Sequence, residues 1–241
     1  MEKDKIFDDT EYAALDFKFN KEVVTVFDDM VVRSVPFYVE MHRMIGELTK
    51  DFAVKNTNVY DLGCSTGTTL INLDKNLPEE VQFVGVDNSD EMLKSCEANL
   101  KAAGVTRKVN YQNQDLNSDI QLTNPSVVIF CLTLQFLRPL NREKIIKKIY
   151  ASLPENGAVI LIEKILTEHS ICNRLFIEHY YEFKKRNGYN ETEISKKRES
   201  LENVLVPYKL SENEELLKSS GFRFTEVFFK WYNFAGLIAI K

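Results

Sequence analysis

Val59-Tyr60-Asp61-Leu62-Gly63-Cys64-Ser65-Thr66-Gly67 is the stretch whose reading decides the fold. It runs as a strand into a glycine-containing turn, and residues 68–76 after it carry a helical pattern. Gly63 permits a tight turn and the close approach of a small ligand. Asp61 supplies a carboxylate suited to the amino group of a bound amino acid. A second strand follows and ends in Val84-Gly85-Val86-Asp87-Asn88-Ser89, which places an acid 24 residues after Gly63. At that position Asp87 can accept both hydroxyl hydrogens of a ribose, with Asn88 beside the base.

Outward from this pair, short apolar or β-branched runs at residues 58–60, 82–86, 108–112, 127–132 and 158–162 alternate with amphipathic segments. Met92, Leu93, Cys96 and Leu100 share one face of a helix over residues 90–102, and Ile145, Ile146, Ile149 and Leu153 share another after Asn141. Alternating β and α predicts a parallel sheet covered by helices. Near the end, Ser211 with Glu214 three residues on predicts a capped helix, and residues 222–229 and 234–240 predict an antiparallel hairpin. The expected fold is α/β and Rossmann-like: a mostly parallel seven-stranded sheet closed by a C-terminal antiparallel hairpin. Residues 1–241 read as one domain with an N-terminal helical extension over 1–50. A charged helical insertion over 167–207 is placed to cap the carboxyl ends of the strands, where open α/β sheets bind ligands. This order of elements resembles S-adenosyl-L-methionine (SAM)-dependent methyltransferases. The loop resembles their Asp/Glu-x-Gly-x-Gly-x-Gly pattern, with Ser65 at the middle glycine. Asp115-Leu116, after the third strand, stands where such enzymes place an acid toward the adenine amino group.

Each of Asp61, Asp87 and Asp115 taken alone also reads as a helix or turn cap, since aspartates commonly follow strands in that role. Gly63-Cys64-Ser65-Thr66-Gly67 spells Gly-x-Ser-x-Gly as well, the nucleophile elbow of α/β-hydrolases. That reading needs a later histidine base, and His169 and His179 both fall in the charged insertion. NAD binding needs Gly-x-Gly-x-x-Gly, whereas Ser65 and Thr68 hold the second and third glycine positions.

Bulk properties bound the rest. A chain of 241 residues, 44% hydrophobic, can bury a good core, and a net charge of -5 disfavours direct nucleic-acid binding. There is no run of about 18 apolar residues to span a bilayer. Met1-Glu2-Lys3-Asp4-Lys5 lacks the apolar core of a signal peptide, so a cytoplasmic location is expected. Cys64, Cys96, Cys131 and Cys172 form no Cys-x-x-Cys pair and read as reduced thiols; no metal site is predicted. Nothing beside Cys64 marks it as a nucleophile, so it reads as packing against the ligand.

More specific stretches narrow the resemblance: Arg33-Ser34-Val35-Pro36 with Tyr38, Asp61-Leu62-Gly63-Cys64-Ser65, Asp87-Asn88-Ser89, Thr133-Leu134-Gln135-Phe136-Leu137, Phe183-Lys184-Lys185-Arg186-Asn187-Gly188-Tyr189, and Lys197-Arg198 with Leu201-Glu202-Asn203-Val204. From about Phe27 onward the chain resembles the carboxy-S-adenosyl-L-methionine synthase family. The resemblance implies conversion of SAM and prephenate to carboxy-SAM and phenylpyruvate, for later modification of the transfer-RNA wobble uridine, in a homodimer and without a metal. It implies that Arg198 holds the added carboxylate and that Tyr38 borders the cofactor. It places Gly63, Cys64 and Ser65 at the methionine end, and Asp87, Asn88, Asp115 and Leu116 along the nucleoside. Cys131 stands where the family usually has asparagine: a backbone contact with SAM survives that change, and an amide contact does not. Of the basic residues in the insertion, Lys184, Lys185, Arg186, Lys196 and Lys197 read mostly as a solvated helix face, with Arg198 the exception. Two other readings remain: an ordinary methyltransferase for a small acceptor, and a SAM-binding protein without catalysis. Against the first, Cys131-Leu132-Thr133-Leu134 occupies the place of an Asn/Asp-Pro-Pro-Tyr motif.

Overall fold

In every central strand of the computed structural model, which describes residues 3–7, 17 and 20–241, successive side chains enter two different cores. β1 (Asn58–Leu62), β2 (Gln82–Asp87), β4 (Pro125–Cys131) and β5 (Ala158–Leu166) are apolar almost throughout because both faces of the sheet are covered. Tyr60, Val84, Val128 and Leu161 pack on one side with Ile145 and Ile149 of α5 (Pro139–Ser152) and Leu217 of α8 (Leu210–Ser219). Val59, Phe83, Ile129 and Ile160 pack on the other. There they meet Ile45 of α2 (Tyr38–Phe52), Leu70 of α3 (Thr68–Asp74) and Cys96 of α4 (Asp90–Ala102).

The strand order is β3-β2-β1-β4-β5-β8-β7, with β3 (Val109–Asn113) at one edge and β7 (Phe224–Trp231) at the other. β1 to β5 are parallel, and β8 (Phe234–Ile240) lies antiparallel between β5 and β7. The order reverses between β1 and β4, the crevice where ligands bind in doubly wound sheets.

One sequence expectation is extended and one corrected. The seven expected strands form this path, and an eighth lies off it: β6, only Tyr208–Lys209, joins the far end of β5 through Ile165↔Tyr208 and Leu166↔Lys209. Two residues carry no alternation, so only the tertiary pairing creates this strand. The last helix also begins earlier, with Glu212, not Glu214, accepting the capping bond from the Lys209 N–H at 2.7 Å. Ser211 lies inside the first turn, and its hydroxyl donates to Glu168 instead.

Of the extension expected over 1–50, residues 1, 2, 8–16, 18 and 19 lie outside the described residues; the rest includes α1 (Lys21–Ser34) and α2. The insertion forms α6 (Ser170–Arg186) and α7 (Glu191–Leu201), joined through Asn187-Gly188-Tyr189. Arg33 Nε donates to the Asn187 carbonyl at 2.8 Å, Asn187 Nδ2 returns a bond to the Arg33 carbonyl, and the Arg33 guanidinium stacks on Tyr189. Two stretches 154 positions apart thus clamp α1 to the insertion. None of the helices is long and apolar enough to cross a membrane, among the described residues.

Candidate functional site

A cavity of about 820 Å³ opens at the carboxyl ends of β1, β2, β3, β4 and β5. Ten residues singled out from the sequence line it: Tyr38, Gly63, Cys64, Ser65, Asp87, Asn88, Asp115, Leu116, Cys131 and Arg198. α6 and α7 form the facing wall through Ile177, Tyr180, Tyr181, Lys184, Lys197 and Arg198.

The β1 loop is built around positive φ. Gly63 has φ +83, and a Cβ there would lie 2.4 Å from Thr133 atoms on the β4 loop. Gly67, at φ +89, would meet Leu100 and Cys96 of α4. These glycines therefore permit helix and loop packing as well as ligand approach. Ser65 takes φ 47 without being glycine. Its N–H donates to Asp87 Oδ2 at 3.0 Å, which fixes the loop against β2. The Ser89 N–H donates to Asp87 Oδ1 at 3.0 Å. Each Asp87 oxygen holds one backbone donor and keeps acceptor capacity for a further one. Burial raises the Asp87 pKa and these backbone bonds oppose the rise.

Asp115 Oδ1 accepts from the Asn117 N–H at 2.9 Å, so it closes a turn while lining the cavity. Cys64 is buried, and contact with the Cys96 thiol together with burial pushes its pKa up, the opposite of an activated nucleophile. Cys131 presents its Sγ 3.9 Å from His42 Nε2. His42 Nδ1 lies 2.9 Å from the Tyr38 carbonyl, which only accepts, so Nδ1 carries the proton and Nε2 faces the Thr69 hydroxyl at 3.4 Å. Burial lowers the His42 pKa and keeps the ring neutral.

Asp61 departs from its expected place. It is 0% exposed, it is absent from the cavity wall, and neither carboxylate oxygen has a hydrogen-bond partner. Desolvation pushes its pKa up to about 7, with the nearby Thr69 hydroxyl opposing and the Asp87 charge adding to the rise. Neither His169 nor His179 reaches the cavity: one precedes α6 and the other stacks on Tyr232, so Ser65 has no hydrolase base there.

The basic residues divide. Lys185 is half-buried and paired with the exposed Glu182 and Glu191 at the outer face of α6. Arg198 lies at the rim, its side chain 59% exposed. Lys184 and Lys197, read as surface residues, are buried and line the cavity, as does Lys164 from β5. A signal for Lys164 existed: Glu163-Lys164 is the only charged pair in an otherwise apolar strand. Among the described residues no cluster of His, Cys, Asp and Glu is placed to hold a metal ion.

A family model described as a methyltransferase domain matches residues 59–157. An O-methyltransferase family protein from Burkholderia thailandensis superposes with a TM-score of 0.71 at 14% identity, covering 96% of this chain and 62% of that one, a likeness of fold. The carboxy-S-adenosyl-L-methionine synthase of Methylococcus capsulatus is 53% identical over 100% of both chains. That of Nautilia profundicola is 46% identical over 93% of this chain and 94% of its own. The chain belongs to the carboxy-S-adenosyl-L-methionine synthase family. The family's methyltransferase-type sheet is thus present here with its ligand crevice walled by a lysine-bearing cap.

Proposed function

We propose that the protein converts SAM and prephenate to carboxy-SAM and phenylpyruvate, a step toward modification of the transfer-RNA wobble uridine. The observation that carries this reading is a single cavity that joins a nucleoside-type carboxylate, Asp87, to a cationic wall of Lys164, Lys184, Lys197 and Arg198 in a chain of net charge -5. Methyl transfer to a neutral acceptor has no use for that wall, whereas an anionic donor and a carboxylated product do.

In this reading Asp87 accepts the ribose hydroxyls, Asn88, Asp115 and Leu116 border the nucleoside, and Tyr38, Gly63, Cys64, Ser65 and Cys131 border the methionine end. The SAM methyl carbon, acidified by the sulfonium, gives up a proton. Prephenate loses its ring carboxylate as carbon dioxide and its ring hydroxyl as the ring becomes aromatic. The methyl carbanion left on SAM forms a new bond to the carbon dioxide, and the methyl proton and the departing hydroxide leave as water. Atoms and charge balance without a metal. The working form is a homodimer in the cytoplasm, checked for assembly by sedimentation of the purified protein.

Mass spectrometry of the protein incubated with SAM, with and without prephenate, tests the reaction. A prephenate-dependent product heavier than SAM by one carboxylate in place of hydrogen, formed with phenylpyruvate, is the expected result; unchanged SAM points to an ordinary methyltransferase or a binder.

Two variants test the assignments. Asp87→Ala removes the ribose acceptor and leaves the Ser65 and Ser89 N–H groups without their partner, so SAM affinity is expected to fall roughly hundredfold by calorimetry. Arg198→Ala is expected to weaken carboxy-SAM roughly tenfold or more while SAM binding is unchanged. Equal losses for both ligands would remove Arg198 from its role.

A further inference from the structure

Two lysine ammonium groups lining the cavity have no carboxylate within ion-pair distance among the described residues. Lys184 is 5% exposed, and Lys164 is half-buried. Both line the cavity, and neither forms an ion pair or a side-chain hydrogen bond through Nζ among the described residues. Each instead stands over the Tyr180 ring, Lys164 at 5.2 Å and Lys184 at 4.7 Å from its centroid. A ring face returns only part of what an ammonium loses on leaving water. Lys197 differs, because its Nζ donates to Ser34 Oγ at 3.1 Å and faces Asp4 at 3.8 Å.

The strand and helix geometry explains the pairing. Side chains alternate along β5, so Glu163 enters the α5 side while Lys164 enters the side that α6 covers. One turn of α6 separates Tyr180 from Lys184, which places both on the face that meets Lys164. Burial and the charges of Lys197 and Lys164 disfavour the charged form of Lys184, against the weaker pull of Asp4. A bound dianion supplies the missing counter-charge.

We propose that Lys164 and Lys184, gathered at Tyr180, form an anion cradle that holds the carboxylates of a dicarboxylic second substrate, apart from Arg198 at the rim. The inference rests on the carboxylation reading of this site and names the residues that hold the donor. Arg198 then serves the product carboxylate, while the cradle sets affinity for the donor.

The test uses Lys164→Met and Lys184→Met in the full chain, with Lys184→Arg retaining the charge. Methionine fills a similar volume, and a buried unpaired ammonium is replaced by an apolar group, so folding is expected to survive; thermal melts check this. The KM for prephenate is expected to rise roughly ten- to hundredfold in each methionine variant, with SAM affinity unchanged by calorimetry and partial recovery in Lys184→Arg. An unchanged KM in both variants, or a parallel loss of SAM affinity, overturns the proposal. A second readout is independent of turnover: malonate, a small dicarboxylate, titrated into protein with SAM present. Weaker malonate binding in the methionine variants supports the cradle even if the wild type fails to convert SAM with prephenate, an outcome that defeats the reaction alone. Malonate binding that is equal in all variants overturns the cradle.

Discussion

Asp61→Asn is expected to stabilise the ligand-free protein at pH 8 by up to about 4 kcal/mol and to leave it nearly unchanged at pH 4. The carboxylate is fully buried without a hydrogen-bond partner, and desolvation moves its pKa from 3.8 to about 7. At roughly 1.4 kcal/mol per pH unit, that interval sets the size of the effect. A carboxyl whose pKa is higher folded than unfolded resists ionisation only in the fold. Its penalty is therefore absent below the unfolded value, grows as the pH rises between the two values, and is complete above about 7. Urea unfolding of both proteins at pH 4, 6 and 8 measures the difference, and a gap that does not widen with pH would sink the assignment. The amide needs partners of its own, which makes the figure an upper bound. SAM carries an ammonium at its amino-acid end. Its binding is expected to relieve part of the penalty, so at pH 8 it should raise the melting temperature of wild type more than that of Asp61→Asn.

Arg142→Ala is expected to cost about 3–5 kcal/mol, the range for removing one partner of a buried charge system. Arg142 is 1% exposed on α5. Its Nε donates to the Leu137 carbonyl at 3.1 Å, and its Nη2 donates to the carbonyls of Gln135 at 3.1 Å and Val206 at 2.7 Å. It therefore joins the β4 loop to the chain leaving α7, and it stacks on Tyr208 of β6 at 4.2 Å. Its charge also counters Glu163, whose pKa burial raises to about 8 despite that charge and the backbone donors from Gln135, Leu134 and Thr133. Truncation leaves three carbonyls and a buried carboxyl without their cation. Arg142→Lys is expected to recover little, because a point charge cannot serve carbonyls spread around a planar guanidinium. Chemical denaturation measures both variants, and a loss under about 1 kcal/mol for Arg142→Ala would contradict the account.

The sheet and the strand-tip side of the cavity are legible in the chain because their causes are local. Strands buried on both faces must be apolar runs, as in β4 and β5, and a turn at positive φ asks for glycine, as at Gly63 and Gly67. Acids at strand tips are visible for the same reason: Asp87 and Asp115 interrupt the pattern where β2 and β3 end. The family resemblance adds Tyr38, Cys131 and Arg198, which no local pattern marks, and all three line the cavity.

What the chain determines by itself is thus the alternation of elements, the glycine loop and the acids that follow it, each set by neighbours within a few residues. Only the tertiary structure decides which of two adjacent charges is buried. Lys184 and Lys185 differ by one position on α6, and Lys197 and Arg198 by one on α7, yet a rotation of about 100° per residue turns one inward and the other to water. The direction depends on what lies across the helix: Tyr180 with Lys164 for one pair, Ser34 with Asp4 for the other. The same holds for Asp61, whose burial is set by α2 and α3 closing over β1, and for β6, which exists only because β5 runs past its neighbours. Charge and hydrogen bonding act through space, and the partners come from elements far apart in the chain.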